Sequence, residues 1–106
     1  MVTEIVLRRE EIGYIVTALE HELRRLRRRL RRVEKELRGF EKRYGISTEE
    51  FMEMYERCRR GGGTWRLPED ADVDAVEWRG LALLRDEIAR EVRSIEEILS
   101  KLRKVP

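Results

Sequence analysis

Between Ile12 and Tyr44 the apolar residues fall at Ile12, Val16, Leu19, Leu23, Leu26, Leu30, Val33, Leu37, Phe40 and Tyr44, spaced alternately four and three apart. That is an unbroken heptad seam. It excludes a strand, whose side chains repeat every two residues, and puts all ten on one stripe of an α-helix. A helix over 9–44 is about 54 Å long at ~1.5 Å per residue. A rod of that length cannot bury its stripe against a compact globule, so a second long helix must lie beside it.

The end of the rod is written just after Tyr44. Gly45 suits a left-handed C-terminal cap, and Ser47 followed by Glu50 three residues on reads as a capping box. Ile46 and Phe51 take the positions of a hydrophobic staple. A second helix over about 48–60 then carries Phe51, Met54, Tyr55 and Cys58 on one face, and Gly61-Gly62-Gly63 ends it. The loop "GGGTWRLPEDADV" leads to a third helix over about 73–101, where Asp72 or Asp74 suits the positive N-terminal end. Its apolar line is Leu81, Leu84, Ile88, Val92, Ile95, Leu99 and Leu102, with one extra spacing of four, a stutter that relaxes the supercoil. Val76, Ala82, Leu83, Ala89 and Ile98 broaden that line into a face that needs more than one neighbour.

The fold class expected is therefore all-α: a long antiparallel helical hairpin over 9–106 with a short helix at its tip. Residues 1–8, "MVTEIVLR", form either an extended arm or short strand, or an early turn of the first helix. Two rods alone have a poor ratio of volume to surface, so self-association into a bundle or a stable protein partner is expected.

Charge raises the main functional question. Residues 24–32 read "RRLRRRLRR", yet the whole chain, with 24 basic and 22 acidic side chains, nets only +2. Arg24, Arg25, Arg27, Arg28, Arg29, Arg31 and Arg32 surround the helix on every side but the seam. Setting Tyr44 level with Asp74 places this collar opposite Asp86 to Ser94. Over 86–97 five acids and two arginines give a net −3 against the collar's +7. One reading is an ion-pair network flanking the seam. The other is a contact surface for nucleic acid or an acidic partner through Arg24, Arg25, Arg27, Arg28, Arg31 and Arg32. No aromatic residue is interleaved there to stack on bases, so nucleic-acid binding would be backbone-directed and salt-dependent.

Other residue types point away from catalysis. His21 faces outward with no second histidine near it, and Cys58 lies on an apolar helix face. Neither suggests a metal ligand or an activated nucleophile. Adjacent carboxylates such as Glu49 and Glu50 diverge by ~100° on a helix and make no acid–base dyad. The long-short-long order of helices is similar in outline to the all-helical chorismate mutases, but an apolar seam offers no cationic pocket for a dicarboxylate. No cofactor or metal is implied, and a non-enzyme is expected. The chain lacks Asn and Gln and has 20 arginines to four lysines, as in proteins adapted to heat. With no apolar stretch of ~18–20 residues and no secretory segment, a cytoplasmic location is expected.

The segments "FEKRYGISTEEFMEMYERC" and "DAVEWRGLALLRDEI" resemble a family of small archaeal and bacterial coiled-coil proteins described as antitoxin-like subunits of toxin–antitoxin pairs. The similar features are a long helix ending in Phe-Glu-x-x-Tyr-Gly, the Ser-Thr-Glu-Glu-Phe cap and a Glu-Trp pair opening the last helix. They span about residues 37–90. The loop "RCRRGGGTWRLPED" departs from the acidic linker this resemblance leads one to expect. The resemblance implies a protein partner, a toxin, neutralised by contact. Trp65, Arg66, Leu83 and Ile98 are the candidate partner-binding residues, Trp65 either folding onto the tip or standing open as an anchor.

Overall fold

The structure is a computed structural model and describes residues 8–105. The arm expected at the N-terminus lies, but for Arg8, outside them. The described residues form three α-helices: α1 (Arg9–Tyr44), α2 (Thr48–Arg59) and α3 (Asp72–Arg103), the last entered through a 3₁₀ turn at Glu69–Ala71. Tyr44 meets Asp74 at one end of the α1–α3 pair and Glu20 meets Arg103 at the other, so the two long helices run antiparallel. The molecule measures 60 × 33 × 19 Å with a radius of gyration of 19.9 Å. A compact domain of this length would have a radius of about 13 Å. The hairpin is a thin rod. Among the described residues no helix is long and apolar enough to cross a membrane.

The helix ends follow local chemistry. Glu11 accepts a hydrogen bond from the Arg8 amide at 3.3 Å, opening α1. Gly45 closes it in the left-handed region at φ 71°, donating to the Glu41 carbonyl at 2.8 Å. Ser47 Oγ then accepts from the Glu50 amide at 3.0 Å. The Glu50 carboxylate meets the Ser47 hydroxyl and not its amide, so this is half of a capping box. The amide of Thr48, the first residue of α2, is satisfied instead by Glu41 Oε2 at 2.7 Å, reaching across the turn from α1.

In α1 the seam faces α3 as the heptad requires, with Leu23, Leu26, Val33 and Leu37 buried. In α3 the expected line needs correcting near the tip. The buried residues there are Ala75, Trp78 and Ala82, while Leu81 and Leu84 are only half-buried. Arg85 continues that line where an apolar residue would be expected, and its guanidinium leaves sideways for Glu49 of α2 at 3.2 Å. The cause is Trp78. Its bulk must enter between α1 and α2, which turns this end of α3 away from the leucines. Beyond the tip, Ile88, Val92, the half-buried Ile95 and Leu99 restore the 4–3 alternation.

The alignment of the two long helices also differs from the expected one. Arg27 reaches Glu96 and Glu20 reaches Arg103, each at 3.4 Å. These pairs set α3 about one helical turn beyond the register that levels Tyr44 with Asp74. Tyr44 donates to Asp74 at 2.5 Å by reaching along the rod from its stacking position on Trp78. The turns of α1 before Glu20 overhang the last turn of α3, leaving Ile12, Ile15 and Val16 half-buried and Tyr14 exposed.

At the tip an aromatic stack joins the three helices. The Trp78 indole, 0% exposed, lies 4.1 Å from the Phe51 ring at 11° and 5.5 Å from Phe40 at 15°. Its Nε1–H donates to Thr48 Oγ1 at 3.0 Å, pairing the buried indole N–H with the buried hydroxyl. Removing the ring (Trp78→Ala) should cost about 3–5 kcal/mol through transfer and cavity terms. Trp78→Phe keeps the stack but leaves the Thr48 hydroxyl without that donor, and should cost less, about 1–3 kcal/mol. Denaturant midpoints of both variants check this.

A second prediction concerns pH. Hydrogen bonds from Tyr44 and then Arg43 hold the Asp74 carboxyl below its ordinary 3.8. A depressed folded-state pKa contributes stability that is present above the unfolded value and is lost as pH falls through the folded one. The Tyr44 hydroxyl is raised above its ordinary 10.0, chiefly by the same bond to Asp74, so its contribution is lost as pH rises through the raised value. Asp74→Asn should flatten the acid limb of denaturation midpoint against pH, below about pH 4. An unchanged acid limb counts against the network.

Candidate interaction surfaces

The arginine collar is less neutralised than a register levelling Tyr44 with Asp74 implies. Arg25 pairs with Glu22 on its own helix, and Arg27 alone crosses to α3, at Glu96. Arg24 bonds His21 Nδ1 at 3.2 Å. Arg28, Arg29, Arg31 and Arg32 form no ion pair among the described residues. The one-turn shift of α3 explains much of this. It draws Asp86 and Glu87 toward the tip, where Asp86 is taken by Arg85 at 3.2 Å.

A second order lies within the collar. Arg24, Arg28, Arg31, Lys35, Arg38 and Lys42 repeat at spacings of 4, 3, 4, 3 and 4, the same alternation as the seam but on the opposite side of α1. They form an exposed basic ridge about 27 Å long. The acids over this stretch of α1, from Glu22 to Glu41, stand instead on the flanks of the seam. Such sorting puts unscreened positive potential on the outer surface of the rod.

The tip carries a different surface. Trp65 folds onto α2, its ring 6.5 Å from Phe51 and 6.3 Å from Tyr55, both edge-on, and it stays half-buried. Arg79 of α3 lays its guanidinium carbon 5.2 Å from the centre of the Tyr55 ring. Val76 and Leu83, three residues before Arg79 and four after it, are its neighbours on the helix surface. They are exposed by 68% and 45%, and Val73 one turn earlier by 78%. Trp65, Tyr55, Arg79, Val76 and Leu83 thus make one aromatic and aliphatic surface, while the exposed Arg66 lines a separate groove with Glu50, Glu53 and Arg57.

Of the partner-binding residues expected from sequence, the structure brings Trp65, Arg66 and Leu83 to the tip. Ile98, 45% exposed, does not join them. It lies fifteen residues from Leu83, about 22 Å along α3, on a different flank. Tyr55, Arg79 and Val76 join the surface without belonging to the expected set. The sequence signals for them are the place of Tyr55 on the apolar face of α2, that of Val76 on the broadened face of α3, and the i−3 and i+4 spacing of Val76 and Leu83 about Arg79.

Cys58 is half-buried. Among the described residues no three His, Cys, Asp or Glu side chains are grouped to hold a metal ion. No protein-family model matches the chain, and no curated protein or solved structure matches it significantly.

The glycine run fixes the loop that carries Trp65. Gly61 adopts φ 82°, closing α2, and the Gly62 amide donates to the Arg57 carbonyl at 3.0 Å. Gly63 packs so close to α2 that an added Cβ would lie 2.7 Å from Arg57 Cβ and 3.0 Å from the Cys58 nitrogen. Gly62 has open space. Gly63→Ala should destabilise the chain by about 1–3 kcal/mol through overpacking and loosen Trp65, while Gly62→Ala should be far milder. Thermal melts with near-ultraviolet dichroism report both effects.

Proposed function

We propose that the chain is a non-catalytic protein-interaction module, an antitoxin-like subunit that neutralises a partner toxin by covering its surface. One observation carries this reading. Large apolar side chains, Val73, Val76 and Leu83, stand exposed in line on α3 beside the Trp65–Tyr55–Arg79 cluster, where the hairpin has no use for them. Trp, Tyr and Arg anchors ringed by aliphatic contacts are the composition that concentrates binding energy in protein interfaces. Fixing Trp65 on α2 in advance lowers the entropic cost of using it. The resemblance over residues 37–90 supplies the toxin as the kind of partner, and the cytoplasm follows as the place of action.

Val76→Glu with Leu83→Glu should leave helicity intact, since both side chains point to solvent, and should abolish capture of a protein partner from the native cell. Mild affinity purification followed by mass spectrometry checks this. Equal recovery of the same partner by wild type and variant counts against the reading.

The basic ridge favours a second reading, binding of a nucleic-acid backbone. Retention of RNA or DNA would then fall linearly in log affinity with log salt, by about 0.9 per duplex phosphate neutralised. Arg28→Glu, Arg31→Glu and Lys35→Glu together should abolish it. Absence of retention by wild type at about 50 mM salt removes this reading.

A further inference from the structure

The two flanks of the α1–α3 pair differ in kind. Glu20–Arg103 and Arg27–Glu96 mark one flank, and α2 lies on it, since Glu41 bonds the Thr48 amide and Arg85 reaches Glu49. Glu20, Arg27, Glu34 and Glu41 share this column of α1 at seven-residue steps. It is polar along its length and capped by α2 at the tip. Arg43–Asp74 marks the other flank. Here the α1 column holds Ile15, Glu22, Arg29, Glu36 and Arg43, and the α3 column holds Leu84, Glu91 and Ile98. Ile98 is exposed by 45%, and Leu84 and Ile15 are half-buried. This second flank is apolar at intervals, charged between them, and uncovered.

We propose that a second copy of this chain covers this flank, giving a four-helix bundle in which both tips point the same way. Charge complementarity favours a second copy as the occupant, and the same-end arrangement sets no charged residue against its own counterpart. A two-fold axis parallel to the rod keeps every residue at its own height and lays α1 of one copy over α3 of the other, antiparallel to it. The heights follow from the Arg27–Glu96 and Glu20–Arg103 pairs within one hairpin. At those heights Arg32 is level with the second copy's Glu91 and Arg29 lies within one turn of the same carboxylate, Glu22 is level with Lys101, and Arg43 lies within one turn of Glu77. Glu36 falls level with the like-charged Glu87, and Arg32 lies one turn from it on the same helix to offset that repulsion. A two-fold axis across the rod instead stacks α1 on α1 and α3 on α3. Centred on Arg29 it sets Arg29 against itself and Glu22 against Glu36, like-charged pairs that repel. Centred half a heptad nearer the tip it pairs Glu22 with Arg43 and Arg29 with Glu36, but it brings Glu91 of α3 against Glu91 of the second copy. The same-end bundle also answers the unpaired Arg29 and Arg32 while leaving the basic ridge and the tip surface outside.

Sedimentation equilibrium of the full chain at micromolar concentration should give twice the 12.8 kDa chain mass. A single-chain mass overturns the proposal. Leu84→Glu with Ile98→Glu should give that single-chain mass with the helical dichroism retained, and a persistent dimer of this variant overturns the assigned flank. Arg29→Glu with Arg32→Glu should weaken self-association about tenfold or more. Mixing that variant with one carrying Glu87→Arg and Glu91→Arg should restore association as a heterodimer. For orientation, spin labels on Glu53→Cys in a Cys58→Ala background should lie well below the 60 Å length of the molecule from each other. A separation near that length overturns the same-end arrangement. A dimer that captures no toxin-like partner removes the antitoxin-like reading and leaves this inference standing. A monomer that captures one does the reverse.

Discussion

The Trp78 indole is where the three helices meet, and the other features of the rod follow from its placement. It is stacked on Phe51 from α2 and Phe40 from α1, and its N–H is bound to Thr48 at the first turn of α2. A thin two-helix rod offers few places where a large side chain can be wholly enclosed, because each helix covers only one side of the other. Folding α2 back over the tip creates one. The geometry has consequences at a distance: the ring's bulk passes the seam through Ala75 and Ala82, pushes Arg85 sideways to α2 and leaves Leu81 and Leu84 half-covered on the open flank.

Charge is sorted around the rod as well. On α1 the acids of the central stretch stand beside the seam, within reach of α3 or of neighbouring arginines, and the bases fill the back of the helix. Exposed pairs such as Glu22–Arg25 contribute little each to stability. Their effect lies in pattern. They set one flank polar and closed, the other apolar with alternating charge, and leave a third surface uniformly basic. A single rod thereby presents three faces of different chemistry at 12.8 kDa.

Much of the architecture is legible in the amino-acid sequence. The ten-position seam of α1, the Gly45 cap and the Ser47 start of α2 depend on residues within one or two turns of each other, and local periodicity and capping report such features directly. The seam of α3 near the tip is not legible in the same way, because Leu81 and Leu84 satisfy the same spacing rule as Trp78 and Ala82. Periodicity cannot rank two overlapping stripes; only the shape of the space left by α1 and α2 can. Spacing overestimates the neutralisation of the collar for a related reason. Tyr44 and Asp74 do touch, yet a tyrosine can reach a turn along the rod, so their contact does not mark the register of the two helices.

By itself, then, the sequence determined the number of helices, their approximate ends, the antiparallel hairpin and the stripe of α1 that is buried, since each is encoded by neighbours along the chain. The tertiary structure alone decided which stripe of α3 meets α1, how far the two rods are offset, and on which flank α2 lies. Those choices depend on fitting one large indole among side chains from three separate helices, a steric condition that no local pattern records. From them follow two uncovered surfaces: the tip cluster joining Trp65 to Leu83 through Tyr55 and Arg79, and the open flank on which Ile98 stands.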